Sequence, residues 1–206
     1  SYEAFEIDRD GGYGGTEAAL RFAIPAGEWA GGSFYSHGAR SLTGYNALVF
    51  WARADRAFTL ASAGYGLGIA YPSDFQAEVN GLEITTAWTQ YVIPVPDSSR
   101  MTQEHGLFWI SAAAGDTDVT LWFDEVKFAN VSSVTYPRPA MTTQAVQALE
   151  GEEFAFPGTR TTLSVGGVDR IVRHTDNYFD YVSSDPAVAA AEGNTVTAVA
   201  LGEATI

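Results

Sequence analysis

Short apolar-rich segments recur between turn residues over the first 130 positions, and they restrict this part of the chain to a β fold. Their β-branched and aromatic content, and the turn residues between them, are typical of strands. Apolar residues at helical spacing are not sustained for three turns anywhere. Many short strands joined by irregular loops favour a β-sandwich of the jelly-roll type. The segments are EAALRFAI (17–24), NALVFWARA (46–54), QYVIPV (90–95), GLFWISA (106–112) and VTLWFDEVKF (119–128).

The last third of the chain has a similar pattern with a different composition. All five tryptophans lie before residue 130, and ANVSSVTYPRPA (129–140) combines small polar residues with two prolines. This composition is typical of a linker that resists both helix and sheet. We therefore predict an all-β chain of two domains, a jelly roll over residues 1–130 and a small β-sandwich over 131–206. The strand-like segments of the second domain are TTLSVGG, FDYVSSD, AVAAAEG, NTVTAVALG and EATI.

Charge and amino-acid composition limit the classes of function that this chain can have. Acidic residues outnumber basic ones by 25 to 11, and Lys127 is the only lysine. This balance disfavours a nucleic-acid partner and offers carboxylates to hard cations such as calcium. The absence of cysteine excludes disulfides, thiolate metal sites and cysteine nucleophiles, and it fits an exported bacterial protein. No apolar run approaches the length of a membrane span.

Successive side chains of a strand point to opposite faces, and this alternation places several aromatic side chains outside the expected core. Trp51 shares a strand face with Arg53, and a buried unpaired arginine is costly, so this face is expected to meet solvent. Indole rings on a wet face can stack on sugar rings while polar neighbours bind the hydroxyls. For any single tryptophan, burial under a loop is the competing interpretation. The predicted carbohydrate-binding residues are Tyr35, His37, Trp51, Arg53, Trp109 and Trp122.

Three carboxylates, Glu6, Asp8 and Asp10, stand close together at the start of the chain. A retaining glycosidase of the laminarinase type would continue Glu6-Ile7-Asp8 to a further glutamate, but Gly11 occupies that position. A calcium loop fails as well, because Gly12 stands where its third acid belongs. A metal would therefore need ligands from another segment, and WFDEVKF (122–128) supplies them.

Five motifs follow one another along the first 130 residues: YEAFE, DGGYGG, SLTGYNALVFWARA, TTAWTQYVIPV and LWFDEVKF. In this order and spacing they resemble a carbohydrate-binding module of the galactose-binding-like jelly-roll class, the kind appended to bacterial polysaccharide-degrading enzymes. The resemblance implies a structural calcium that ties the first strand to the last. Its ligands would be Glu6 and Asp124, with Asp8 or Asp10 and backbone carbonyls near 11–15. The alternative is that these acids face solvent or pair with basic side chains.

The end of the chain, YVSSDPAVAAAEGNTVTAVALGEATI, is similar to the closing half of a bacterial Ig-like domain of group 2. Asp185-Pro186 fixes a turn in this signature, and Gly193-Asn194 permits a hairpin. The resemblance implies a fold and almost no chemistry.

Together these observations predict a non-catalytic module that binds a polysaccharide or oligosaccharide and targets an appended glycoside hydrolase or surface protein to it. We expect an extracellular or cell-surface bacterial location and a monomer within a larger multidomain chain, with neither a nucleic-acid partner nor a membrane span. A structural or adhesive protein that binds a protein partner is the alternative. A hydrolase that uses Glu6, Glu78, Glu83 or Glu104 is less favoured, because no acid pair is recognisable.

Overall fold

The computed structural model describes residues 4–67 and 73–206, and the start of the YEAFE motif lies outside them. It confirms the all-β prediction, with two single-turn 3₁₀ segments besides the strands. The strands are β1 (Phe5–Asp8), β2 (Ala19–Ile24), β3 (Trp29–Arg40), β4 (Ala47–Ala54), β5 (Phe58–Tyr65), β6 (Ala77–Ile84), β7 (Thr89–Pro94), β8 (Glu104–Ala113), β9 (Val119–Ala129), β10 (Val134–Ala140), β11 (Glu153–Phe154), β12 (Arg160–Val165), β13 (Val168–His174), β14 (Ala189–Glu192) and β15 (Thr195–Ala198).

These strands form antiparallel sheets of five, seven and three strands. The five-stranded sheet has the order β1-β2-β9-β4-β7, and the seven-stranded sheet has the order β10-β12-β13-β6-β5-β8-β3. Aromatic side chains from both sheets meet in one core, where the rings of Phe50 and Phe108 lie 5.3 Å apart. Phe22, Phe123 and Ile110 belong to the same cluster and are at most 1% exposed. The two large sheets thus form the sandwich that the apolar-rich segments predict.

The C-terminal segments continue the larger sheet. Strand β13 pairs with β6 through Arg173 opposite Glu78 and His174 opposite Ala77. Tyr178 packs into the main core, where its hydroxyl lies 3.0 Å from that of Tyr65. A separate small cluster of Phe156, Tyr181, Ala189 and Val196 lies beside the three-stranded sheet, β11-β15-β14. The domain boundary at residue 131 and the Ig-like assignment stay predictions.

One expectation for the linker is wrong, because residues 134–140 form strand β10 and pair with β12. Strand β10 is the edge of its sheet. Proline is tolerated at an edge, where one side of the strand needs no hydrogen-bond donors. The pairing register shifts between Thr135 and Arg138, and Tyr136 between them has a φ of 53°. The two prolines therefore make the edge irregular without preventing the strand.

Candidate functional site

The six predicted carbohydrate-binding residues lie on two different surfaces. We call the outer surface of the five-stranded sheet the five-stranded face and that of the seven-stranded sheet the seven-stranded face. Trp51, Arg53 and Trp122 project from the five-stranded face, because their neighbours Phe50, Ala52 and Phe123 point into the core. Tyr35, His37 and Trp109 belong to strands β3 and β8 of the other sheet. The six side chains therefore cannot line one groove.

On the five-stranded face, the predicted rings are covered by side chains of the protein itself. The ring of Tyr13 stacks on Trp51 with centroids 3.6 Å apart and planes 12° from parallel. The guanidinium of Arg53 lies 3.9 Å above the centre of the Trp122 ring and 5.4 Å from that of Trp88. These aromatic and cation–π contacts use ring faces that a sugar would need.

Asp124 explains why Tyr13 lies on Trp51. Its Oδ2 accepts hydrogen bonds from the backbone N–H of Tyr13 at 2.8 Å and from Thr16 Oγ1 at 2.5 Å. Its Oδ1 accepts from the backbone N–H of Glu125 at 2.7 Å. A Cβ on Gly12 would lie 2.2 Å from Asp124 Oδ2, so only glycine permits this approach. Since Asp124 pairs with Trp51 across β9 and β4, the bound turn is held directly over that indole.

The predicted calcium ligands do not converge. Glu6 forms an ion pair with Arg21, whereas Asp8 accepts a hydrogen bond from Trp122 Nε1 at 2.7 Å. The backbone N–H of Asp10 and then this indole hold the pKa of Asp8 below its usual value. In the ranges 4–67 and 73–206, no three His, Cys, Asp or Glu side chains are grouped closely enough to hold a metal ion. The arrangement does not fit a calcium shared by Glu6, Asp8 and Asp124, and calcium binding stays a prediction.

On the seven-stranded face, two indoles lie on glycines. A Cβ on Gly64 would be 2.8 Å from Trp109 Nε1 and 3.0 Å from its Cε2, so the pyrrole edge of this half-buried indole lies against the sheet. In the same way, a Cβ on Gly31 would be 2.8 Å from Cη2 and 2.9 Å from Cζ2 of Trp29. Each glycine thus provides the space that its tryptophan ring fills. Trp29 keeps 62% of its surface exposed.

Small polar side chains lie between the two indoles. Gly31 pairs with Ser111, and Ser111 pairs with Ser62, so these three residues form a row across β3, β8 and β5. The next residue along the row, Asn80, donates from Nδ2 to Ser62 Oγ at 2.9 Å in the amide orientation that gives each of its atoms a complementary partner. The surface around the rings therefore offers hydroxyl and amide groups for hydrogen bonds.

A second row crosses six strands next to the first. It consists of successive cross-strand pairs, so its side chains share one face of the sheet. Its aromatic member is Trp109, and its far end carries two arginines. In order from β3 to β12 the row is Ser33, Trp109, Gly64, Glu78, Arg173 and Arg160.

Trp29 was not among the predicted binding residues, although the sequence carries a signal for it. Residues two apart on a strand share a face, and Trp29 precedes Gly31 by two positions. A tryptophan next to a glycine on the same face can lie over the glycine backbone. By contrast, Gly64 and Trp109 are 45 positions apart in the chain, and only strand pairing brings them together.

The carboxyl of Glu104 lies beneath the surface rather than on it. Its residue is 3% exposed, and burial raises its pKa above the usual value. The negative charge of the ionised form is close to Tyr65 and Tyr178, whose pKa values are raised mainly by their own burial. A carboxyl enclosed in this way cannot reach a glycosidic bond on the surface.

No family model matches this chain, and no curated protein matches its sequence. Among solved structures, similarity is found to the family 30 carbohydrate-binding module of the cellulosomal cellulase Cel9D-Cel44B of Clostridium thermocellum, with 15% identity, 63% of this chain and 83% of that chain covered, and a TM-score of 0.47. Another is the family 11 module from Clostridium thermocellum in complex with a β-1,3-1,4-mixed-linked tetrasaccharide, with 9% identity, 63% and 85% coverage, and a TM-score of 0.43. Because both TM-scores lie below 0.5, these likenesses do not by themselves assign a ligand to this chain.

Proposed function

We propose that this chain is a non-catalytic polysaccharide-binding module and that the seven-stranded face holds the glycan. One observation carries the proposal. Trp29 and Trp109 lie over Gly31 and Gly64 on the same sheet face, with small polar side chains between them. Sugar rings have apolar faces that pack on indole and hydroxyl edges that need hydrogen bonds, and this surface offers both.

The five-stranded face supports the proposal less well. Trp51 is already stacked under Tyr13, and Trp122 is covered by Arg53. A sugar that stacked on either ring would first have to displace a protein side chain. On the seven-stranded face, 62% of the Trp29 surface is exposed.

We propose that Tyr35 and His37, which lie on β3 beyond a shift in its pairing register with β8, bind hydroxyls of the same glycan. Tyr35 pairs with Gly106 on β8, and its ring meets that of His37 edge to face at 5.5 Å. Tyr35 is 42% exposed. Its phenol and the imidazole are donors and acceptors suited to the hydroxyls of a sugar that stacks on Trp109.

The proposal includes a setting for the module. We propose a bacterial protein at an extracellular or cell-surface location, where glycan polymers are found. There this module, as a monomer, directs an appended hydrolase or surface domain to its glycan. No helix in the described parts of the chain is long and apolar enough to cross a membrane.

Two matched tryptophan variants test the choice of face. Trp109→Ala and Trp51→Ala make the same substitution on opposite sides of the sandwich. We expect Trp109→Ala to weaken binding by about 1 to 3 kcal/mol, by analogy with the stacking of bases on aromatic side chains. Trp51→Ala should leave affinity unchanged and lower the melting temperature. Affinity electrophoresis against a panel of soluble polysaccharides, with circular dichroism to verify folding, measures both effects.

The outcomes separate the alternatives. Loss of affinity in Trp51→Ala alone would move the site to the five-stranded face. Absence of binding to every glycan in the panel would refute the proposed function and favour the structural or adhesive alternative. Release of reducing sugar from any bound glycan would show that the module is catalytic.

A further inference from the structure

Two arginines face each other on the seven-stranded face without carboxylate partners. Arg160 on β12 and Arg173 on β13 are directly opposite in the antiparallel pairing. Like charges in this position destabilise a sheet. In the described chain, neither guanidinium lies within 4 Å of a carboxylate. Fold stability therefore does not account for the pair.

Both arginines line a concave cavity of about 460 Å³. Arg160 Nη1 is oriented by Thr142 Oγ1 and the carbonyl of Gly158, each at 3.3 Å. Arg173 Nη1 donates to Asn80 Oδ1 at 2.6 Å, in the same orientation of the Asn80 amide that lets its Nδ2 donate to Ser62. These neutral acceptors orient the guanidiniums without forming an ion pair. The remaining lining residues are Thr159, Ile171 and His174.

The positive charge of the cavity comes from the arginines. Burial lowers the pKa of His174, so the imidazole is neutral at physiological pH. Glu78 lies opposite Arg173 and Asp176 lies close to His174, but neither carboxylate is within 4 Å of a guanidinium of the cavity. The cavity therefore presents two guanidiniums without an ion-pair partner in a chain of net charge −14.

The cavity belongs to the same surface as the proposed aromatic site. Arg173, Glu78, Gly64 and Trp109 are successive members of one cross-strand row. Three strand spacings separate Arg173 from Trp109, which corresponds to about 14 Å between their backbones. An oligosaccharide stacked on Trp109 and extended along the row would therefore reach the two guanidiniums.

We propose that the Arg160–Arg173 cavity binds the carboxylate of a uronic-acid residue, so that the glycan recognised by this module is an acidic polysaccharide. The inference rests on the proposed function and specifies its ligand class. A guanidinium donates two parallel hydrogen bonds to a planar carboxylate, and this pairing is stronger than one between neutral groups. A neutral sugar would leave both charges uncompensated in the complex.

The test compares three oligosaccharide classes of similar length by isothermal titration calorimetry on the whole 206-residue chain. These are oligogalacturonates, neutral β-glucan oligosaccharides and sulfated galactan oligosaccharides. We expect the oligogalacturonate to bind best and its affinity to fall as sodium chloride is raised, because the ion pairs are screened. The affinity of the neutral oligosaccharide should be insensitive to salt.

Arg160→Gln and Arg173→Gln remove the charges one at a time. Each should weaken oligogalacturonate binding roughly ten- to a hundredfold, the range for losing hydrogen bonds to a charged group. Arg170→Gln is the matched control, because Arg170 is exposed on the same strand but pairs with Leu163 and does not line the cavity. We expect the control to bind like the wild type.

The outcomes distinguish this inference from the proposed function. Equal, salt-independent affinity for neutral and acidic oligosaccharides, unchanged in both arginine variants, would overturn the acidic ligand and leave glycan binding intact. Preference for the sulfated oligosaccharide would overturn the carboxylate assignment. Loss of binding to neutral and acidic oligosaccharides alike in Trp109→Ala, with only the acidic affinity lost in the arginine variants, would support both. If no oligosaccharide binds, both are refuted.

Discussion

Replacing Asp124 by alanine tests whether this carboxylate acts as a hydrogen-bond acceptor that holds the turn over Trp51. The side chain accepts three hydrogen bonds, from the backbone N–H groups of Tyr13 and Glu125 and from the hydroxyl of Thr16. Two of these contacts join β9 to a turn more than 100 residues earlier. Asp124→Ala removes all three and releases the Tyr13 ring from Trp51.

The structure fixes the expected magnitude. Hydrogen bonds to a charged acceptor contribute about 1.5 to 3 kcal/mol each to stability. Because Asp124 is only half-buried, water replaces part of what the substitution removes. We therefore expect the free energy of unfolding to fall by about 2 to 4 kcal/mol in total. For a chain of this size, that corresponds to a melting temperature lower by roughly 5 to 15 °C. Urea unfolding followed by tryptophan fluorescence measures the loss, and differential scanning calorimetry gives the temperature.

Asp118→Ala is the control, because Asp118 is exposed and its side chain accepts one hydrogen bond, from the backbone N–H of Ala26 at 2.7 Å. We expect a loss of about 1 kcal/mol there. Equal losses in the two variants would refute the hydrogen-bond reasoning. Each measurement is repeated with calcium and with EDTA. If EDTA lowers the melting temperature of the wild type and not that of Asp124→Ala, then Asp124 is a calcium ligand, as the sequence predicts, and the hydrogen-bond account of its role is wrong.

Two further substitutions test the burial of a carboxyl and the aromatic stack. Burial raises the pKa of Glu104, so the wild type loses stability as the pH rises through that value. Glu104→Gln should therefore melt at a higher temperature than the wild type at pH 7, and this difference in melting temperature should disappear towards pH 4. A difference that does not change with pH would contradict the reasoning. Tyr13→Ala removes a ring stacked on Trp51 and should lower the free energy of unfolding by about 0.5 to 1.5 kcal/mol beyond the area it buries. A red shift of tryptophan emission should accompany that loss, and an unchanged spectrum would mean that Trp51 is not shielded by Tyr13.

Alternation along single strands predicted which side chains leave the core. Phe108 and Ile110 are buried as expected, and Trp109 between them projects outward. The same holds for Trp51 between Phe50 and Ala52. This information is local, because successive side chains of a strand point in opposite directions whatever its neighbours are.

The pattern could not show which strands share a sheet. Trp51 and Trp109 each follow a core residue along their own strand, but strand pairing places them on opposite sides of the sandwich. For the same reason, the sequence pattern could not show which groups hydrogen-bond to the acidic side chains. Asp8 meets Trp122 and Asp124 meets Tyr13 over more than 100 intervening residues, and no local spacing records such contacts.

An acidic ligand has to bind against the negative charge of the chain, and Glu78 is the carboxylate directly opposite Arg173. Asp169 is paired with Arg138, whereas Glu83 and Glu78 accept hydrogen bonds from the neutral side chains of Thr59 and Asn80 and keep their charges. Repulsion from acids elsewhere is screened beyond roughly 8 Å at physiological ionic strength. A carboxylate within hydrogen-bond distance of Arg160 and Arg173 meets their two positive charges at contact, whereas Glu78 lies more than 4 Å from either guanidinium. The distant negative charge should instead slow the approach of an acidic glycan, and this effect, unlike the ion pairs, weakens binding most at low salt.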